Sequence, residues 1–392
     1  MYDRALVVVR YACVAFLGFG LGLGCGRIDF DGGNDGAVTP GCVKAITAYG
    51  DQVCALRTDG SVYCWGSGGN GQLGDGTLIE RLVPAPATIT DVDKLTSGED
   101  TVCAIKLDGS LWCWGANDMG QVGDNTMIDR PLPTPVPLQA AVLDAASSQY
   151  HSCARLVNGT AFCWGSNAFG ELGFDPPPGT SLVPIAVNQI NGSRAMAIGD
   201  NVVCVVRPSQ VVECWGRDSE GELGDGLNVM RSTAAPVLIP DPVAQVAGGC
   251  HRHWCAVTTL GDVWCWGENL NGQLGRGTTT MFESTPARVG GLPSAVQVQV
   301  GADHSCARTT AGEIWCWGND LRGALGDGTF ASSAVPVRAS TLGTPVDVQT
   351  TCSGTLVLRD DARLVAWGAF TDLGTGEIVD RSTAAEVPIP CP

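Results

Sequence analysis

Positive charge is scarce in this chain. Only 23 Lys and Arg stand against 40 Asp and Glu, a formal net charge of −17 at pH 7. Setting aside the first 24 residues, with Arg4, Arg10 and Asp3, makes it −18. So acidic a chain repels phosphate backbones and anionic headgroups, which argues against nucleic acid as a partner. Histidine is rarer still, at four residues. No phosphate-cradling loop with a lysine, no nucleophile elbow and no metalloprotease motif occurs. Cysteines two to four residues apart, the spacing of zinc sites, are also missing. No catalytic residue, metal or cofactor is therefore expected.

Long apolar runs are missing too, apart from one near the N terminus. The stretch from Tyr11 to Gly24 follows Arg4 and Arg10 and stops at small residues before Cys25. A run of about 14 is too short to span a bilayer comfortably and fits the core of an export signal. The segment resembles a bacterial lipoprotein signal, which implies lipidation of Cys25, although leucine sits two and four residues before that cysteine rather than three. Residues 1–24 are read as this signal. Residues 25–41, rich in Gly and Asp, are read as a flexible tether. The localisation this implies is a bacterial cell envelope or secretion, with the membrane reached only through the lipid.

What the chain has in excess is glycine (53), proline (22) and cysteine (18). Many turns and short strands follow from the first two. Eighteen cysteines in 392 residues imply an oxidising compartment. The dipeptide Trp-Gly begins at Trp65, Trp114, Trp164, Trp215, Trp266, Trp317 and Trp367, at intervals of 49 to 51 residues. Around each lies the text Cys-Ala-x-x-x-x-Gly-x-x-x-Cys-Trp-Gly-x-x-x-x-Gly-x-Leu-Gly-Asp-Gly, with small variations. One such unit cannot bury both faces alone, whereas a closed stack of units can. The fold class expected is all-β: a seven-bladed propeller of four-stranded antiparallel blades over residues 42–392.

Thr58-Asp59-Gly60 forms a three-residue hairpin loop whose register sets Cys54 opposite Cys64. The same separation recurs between Cys103 and Cys113, Cys153 and Cys163, and Cys204 and Cys214. It recurs again between Cys255 and Cys265 and between Cys306 and Cys316. Facing positions on a non-hydrogen-bonded pair suit disulfide geometry, so six intra-blade bonds are expected. In the seventh unit Leu356 and Ala366 replace the pair. Reading the ring as continuous makes Cys42 and Cys391 neighbours, and a bond locking the termini is expected there. Cys250 and Cys352 occupy nearly equivalent positions in units five and seven, either free or bonded across the ring. The aromatics two residues before Trp-Gly, such as Tyr63 and Trp112, are expected to share a face with the tryptophans and pack against the next blade.

The repeat resembles that of the regulator of chromosome condensation superfamily, over residues 42–392. The resemblance implies a seven-bladed propeller, a fold that hosts exchange factors, ubiquitin-ligase modules, a light receptor and a secreted β-lactamase inhibitor. His151, His253 and His304 recur two residues before a repeat cysteine, which argues for packing. The Cys250-His251-Arg252-His253 cluster has the wrong spacing for a closed metal site. Asp75, Asp124, Asp225 and Asp327 recur in Gly-Asp-Gly/Asn turns, where bonding to the turn backbone is the preferred role and a ring of calcium sites the competing one. The functional expectation is a monomeric, non-catalytic scaffold for a protein or polysaccharide partner. An inhibitor of another protein and an enzyme with a central-channel site are the alternatives.

Overall fold

A computed structural model describes residues 41–174 and 179–391. Cys25 and the expected signal and tether up to residue 40 lie outside the described residues. Among the described residues, 28 strands form seven four-stranded sheets. The blades span residues 43–86, 92–135, 142–186, 195–236, 243–288, 295–338 and 345–386. Every neighbouring pair of strands is antiparallel, in sequence order from first to fourth. First strands of successive blades touch around the whole ring, and that of blade 7 touches that of blade 1. They therefore line the central axis, and the fourth strands lie outermost. This is a seven-bladed β-propeller.

Each blade is one contiguous stretch of chain, so closure involves no exchanged strand. Cys42 and Cys391 are disulfide-bonded with their Cα atoms 5.6 Å apart. Backbone bonds reinforce the seam: Gly41 N–H donates to Asp361 O (2.9 Å) and Val43 N–H to Ala362 O (3.1 Å).

Inside six blades a disulfide ties the second strand to the third, with facing Cα atoms 4.0 to 4.2 Å apart. Cys54 is bonded to Cys64, Cys103 to Cys113, and Cys153 to Cys163 in blades 1 to 3. Cys204 is bonded to Cys214, Cys255 to Cys265, and Cys306 to Cys316 in blades 4 to 6. Each pair is directly opposite in the strand register, as the hairpin spacing requires. In blade 7 Leu356 faces Ala366 in the same register, and both are buried.

Alternation along the strand gives cysteine and tryptophan opposite faces. The tryptophan face meets the preceding blade, which corrects the expected direction. Trp114 of blade 2 packs among Leu56, Val62 and Leu73 of blade 1, and Trp65 packs among blade 7 residues. The cysteine face, with Cys103 and Cys113 in blade 2, meets the following blade. All seven Trp-Gly tryptophans are fully buried, while Tyr63 and Trp112 remain half-buried under Arg57 and Lys106 cations.

Each indole also fixes its neighbour's loop. Trp114 Nε1–H donates to Gln72 O (2.9 Å), and Trp367 Nε1–H to Ala324 O (2.8 Å). Gly326 in that loop has φ of +68°, and a Cβ there would come within 2.5 Å of Trp367 Nε1. The Leu-Gly-Asp-Gly text is thus the socket for the next blade's tryptophan.

Candidate functional site

Strand order puts the first-to-second and third-to-fourth connections of every blade on one face of the disc. The second-to-third hairpins and the inter-blade connections emerge on the other. The first face carries two concentric features: a closed acidic mouth at the axis and an apolar rim around it.

At the mouth, Tyr49 of blade 1 reaches across to the far blades. Its hydroxyl donates to Gly249 O of blade 5 (2.6 Å) and lies 3.2 Å from Asp200 Oδ1 of blade 4. Beside it a disulfide joins Cys250 of blade 5 to Cys352 of blade 7. Gly50 O accepts from Cys352 N–H (2.8 Å), and Gly50 N–H points at Cys250 Sγ (3.4 Å). Tyr49, Cys250, Ala302 and Cys352 form an apolar cluster that bridges the axis. Of the two states the sequence left open for Cys250 and Cys352, the structure has the bond across the ring. Tyr49's role does not follow the repeat, so only ring geometry reveals it.

Carboxylates crowd around the plug. Burial, then the nearby Glu99 charge, pushes Asp200 up to about 7. Burial, reinforced by Asp100 and Asp51, raises Glu99, and burial raises Asp100. Tyr49 is held well above the ordinary phenol range by burial and then by Asp200 and Glu99. On the far side His251 Nδ1 lies 3.3 Å from Asp303 Oδ1, and that bond raises the imidazole and lowers the carboxyl. Carboxylates and His251 therefore do converge on the mouth. Among the described residues, no group of three or more His, Cys, Asp or Glu side chains is arranged to hold a metal.

The repeat histidines are packing residues. His151 Nδ1 pairs with Ser148 Oγ (3.0 Å), His253 Nε2 with Ser305 Oγ (2.9 Å) and His304 Nε2 with Thr355 Oγ1 (3.1 Å). Burial holds the first two down at about 3 and the third at about 4, so all stay neutral at physiological pH. The repeat aspartates bond their own turns. Asp75 Oδ1 accepts from Thr77 N–H (2.8 Å), and its Oδ2 pairs with Arg81 (2.9 Å).

The rim was not foreseen from sequence. Just after each of these turns the third-to-fourth connection exposes apolar side chains. They are Leu78 and Ile79 in blade 1, Met127 and Ile128 in blade 2, and Leu227, Val229 and Met230 in blade 4. Met281 in blade 5, Phe330 in blade 6, and Ile378 and Val379 in blade 7 continue the series. Exposure reaches 71% at Ile378. Identities vary while the position repeats, which is why the sequence pattern hides them. Between blades 6 and 7 the rim holds an open cavity of about 630 Å³, lined by Phe330 and residues 376–383.

The regulator of chromosome condensation (RCC1) repeat model matches residues 59–105, 108–155 and 261–308, and a second model of the same repeat matches 43–72, 92–121, 142–171 and 295–324. The chain belongs to the regulator of chromosome condensation repeat superfamily. Within that superfamily it is 36% identical over 168 residues to the human regulator of chromosome condensation, covering 41% of this chain and 38% of that protein. It is 29% identical over 201 residues to the human E3 ubiquitin-protein ligase HERC2, covering 47% of this chain but 4% of that one. The chain thus spans a minor part of these curated relatives. Among solved structures it is similar to human WBSCR16, with a TM-score of 0.76 at 20% identity over 84% of this chain and 94% of that one. Saccharomyces cerevisiae Prp20p, whose structure is described with its binding to Gsp1p and histones, gives a TM-score of 0.74 at 19% identity, over 85% and 87%.

Proposed function

We propose that this chain is an extracytoplasmic, non-catalytic propeller that holds a protein partner on its mouth-and-rim face. One observation carries the reading: exposed apolar side chains recur at one connection in blades 1, 2, 4, 5, 6 and 7. Single exposed apolar residues are ordinary, but a ring of them at equivalent sites on one face marks an interaction surface. The bridge formed by Tyr49 and the bonded Cys250 and Cys352 across the axis favours surface binding over chemistry in the channel. Eight disulfides among the described residues support an oxidising compartment. Lipidation of Cys25 would tether the ring to a membrane, with residues 26–41 as the leash. Inhibition of the partner is one outcome such binding would have.

The test is capture from a cell-envelope extract with the propeller and with a triple rim variant combining Ile79→Ser, Ile128→Ser and Ile378→Ser. These sites are exposed, so folding should change little while a captured protein is lost, with affinity down roughly 100-fold. Equal capture by both proteins would refute the assignment of this face.

A further inference from the structure

In blades 2 to 6 the third-to-fourth connection carries a buried Asn or Asp three residues after the Trp-Gly tryptophan. In blade 2 it is Asn117, and its amide Nδ2 donates into a nest of oxygens. These are Asp124 Oδ1 (3.1 Å), Thr126 O (3.0 Å), Thr126 Oγ1 (3.2 Å) and Ile128 O (3.1 Å). Blade 5 does the same with Asn269, towards Thr278 O (3.1 Å) and Thr280 Oγ1 (3.0 Å). A donor group sits where several acceptors converge.

Blade 6 has the same loop with the donor removed. Leu325 N–H donates to Asp320 Oδ1 (2.8 Å), as Val122 N–H does to Asn117 Oδ1 (2.9 Å). Thr329 N–H and Oγ1–H both donate to Asp327 Oδ1 (2.8 Å each), as Thr126 does to Asp124. Ala331 N–H approaches Thr329 Oγ1 (3.2 Å), as Ile128 N–H does Thr126 Oγ1 (3.4 Å). The anchor, however, is Asp320. It is fully buried, and its Oδ2, which takes the place of the amide nitrogen, has no hydrogen-bond partner.

A second change removes the compensating charge. Arg81, Arg130 and Arg231 clamp the turn aspartates of blades 1, 2 and 4. The matching position in blade 6 is Ser333, whose hydroxyl donates instead to Val335 O (2.7 Å). Among the described residues Asp327 forms no ion pair. Blade 4 also has an aspartate anchor, Asp218, but there Val229 N–H donates to its Oδ2 (2.8 Å) and Arg231 is present. Among the described residues, blade 6 alone combines two carboxylates, an orphaned buried oxygen and no cation.

An unpaired buried carboxylate oxygen is costly unless a positive centre joins it. We propose that the blade 6 connection binds a calcium ion, held by Asp320 Oδ2, the Asp327 carboxylate and the neutral oxygens of Thr329 and Ala331. All donors are oxygen, which selects a hard cation. A loop mixing carboxylates with carbonyls suits Ca²⁺ better than Mg²⁺, which demands a near-ideal octahedron. With two carboxylates the expected dissociation constant is about 10⁻⁴ to 10⁻³ M, the range of extracellular calcium modules.

The experiment titrates CaCl₂ into the chelator-treated full chain by calorimetry and follows thermal unfolding in parallel, with MgCl₂ as control. Asp320→Asn supplies the amide that blades 2 and 5 already use, so it should fold and be at least as stable without metal. The wild type should take up one ion at this site and unfold about 1–3 °C higher in saturating calcium. Asp320→Asn should lose both responses, and Ser333→Arg, which restores the clamp, should weaken binding roughly tenfold or more. A wild type that ignores calcium and responds at Asp320 to pH alone would mean that a proton fills the gap, and would overturn the proposal. Calcium responses in Asp320→Asn equal to those of the wild type would do the same.

Discussion

Blades 1 to 6 and blade 7 solve the same problem by different cross-links. In the first six, a cystine between the middle strands closes a short local loop. Blade 7 replaces it with Leu356 against Ala366, fully buried beside Trp65 and Val53 of blade 1. Both long-range disulfides attach to that blade: Cys352 in its first connection reaches blade 5, and Cys391 beyond its last strand reaches Cys42. Local bonds make six hairpins self-sufficient. The seventh is held by its neighbours, where the ring has its seam.

The two kinds of bond should differ in thermodynamic weight, and that difference can be broken or sharpened. The largest effect should come from Cys42→Ala combined with Cys391→Ala. Their separation of 349 residues gives a chain-entropy figure of about 5.8 kcal/mol as an upper value. Urea unfolding should show the loss together with earlier opening of blades 1 and 7, read by hydrogen exchange. Removing Cys250 and Cys352, 102 residues apart, should cost up to about 4.7 kcal/mol, and removing Cys54 and Cys64 about 2.8 kcal/mol. Equal costs for the distant and local pairs would break the comparison.

A gain should follow from repairing the exception. Leu356→Cys combined with Ala366→Cys places cysteines at a facing pair with the register of the other blades. The new bond adds up to about 2.8 kcal/mol in the same model, offset by roughly 1–2 kcal/mol for the lost leucine packing. A net change of about zero to +2 kcal/mol in oxidised protein, reversed on reduction, is the expected reading.

A last effect concerns pH. Asp200, held up to about 7 in the folded chain, binds a proton that the unfolded carboxylate releases near pH 4. The folded state therefore holds more protons between about pH 4 and 7, and stability falls as pH rises through that window. The buried histidines act oppositely. Depressed to about 3 or 4 when folded, they give stability above pH 6.5 that is lost as pH falls. Asp200→Asn should remove the first contribution alone and flatten the fall between pH 4 and 7. An unchanged pH profile in the urea midpoint would count against a buried neutral Asp200.

The fold was legible because its determinants are local and repeated. Trp-Gly spacing sets the blade, and Thr58-Asp59-Gly60 sets the register that brings Cys54 opposite Cys64. The same register explains why Cys113, Cys163, Cys214, Cys265 and Cys316 each meet the cysteine ten residues before them. The direction in which Trp65 packs was not legible, because alternation along a strand does not say which neighbour lies on which side. The site was hidden for a related reason. Tyr49, Asp200 and Cys250 lie in three blades and meet only when the ring closes, and Ile79, Ile128 and Ile378 share a place without sharing a motif. Asp320 could be read as a departure from Asn117 and Asn269, but its meaning depends on the missing arginine at Ser333 and on where a single oxygen points.

Contiguous blades have one further consequence. No strand passes between the first and last units, so the order in which the chain visits the blades is not written into the sheets themselves. With Cys42 and Cys391 bonded at 5.6 Å between Cα atoms, a short peptide could replace that bond and any inter-blade connection could be cut to make new ends. The architecture reads as a wheel that was opened at one spoke, and whole spokes are the units by which such a wheel can grow, shrink or be rearranged.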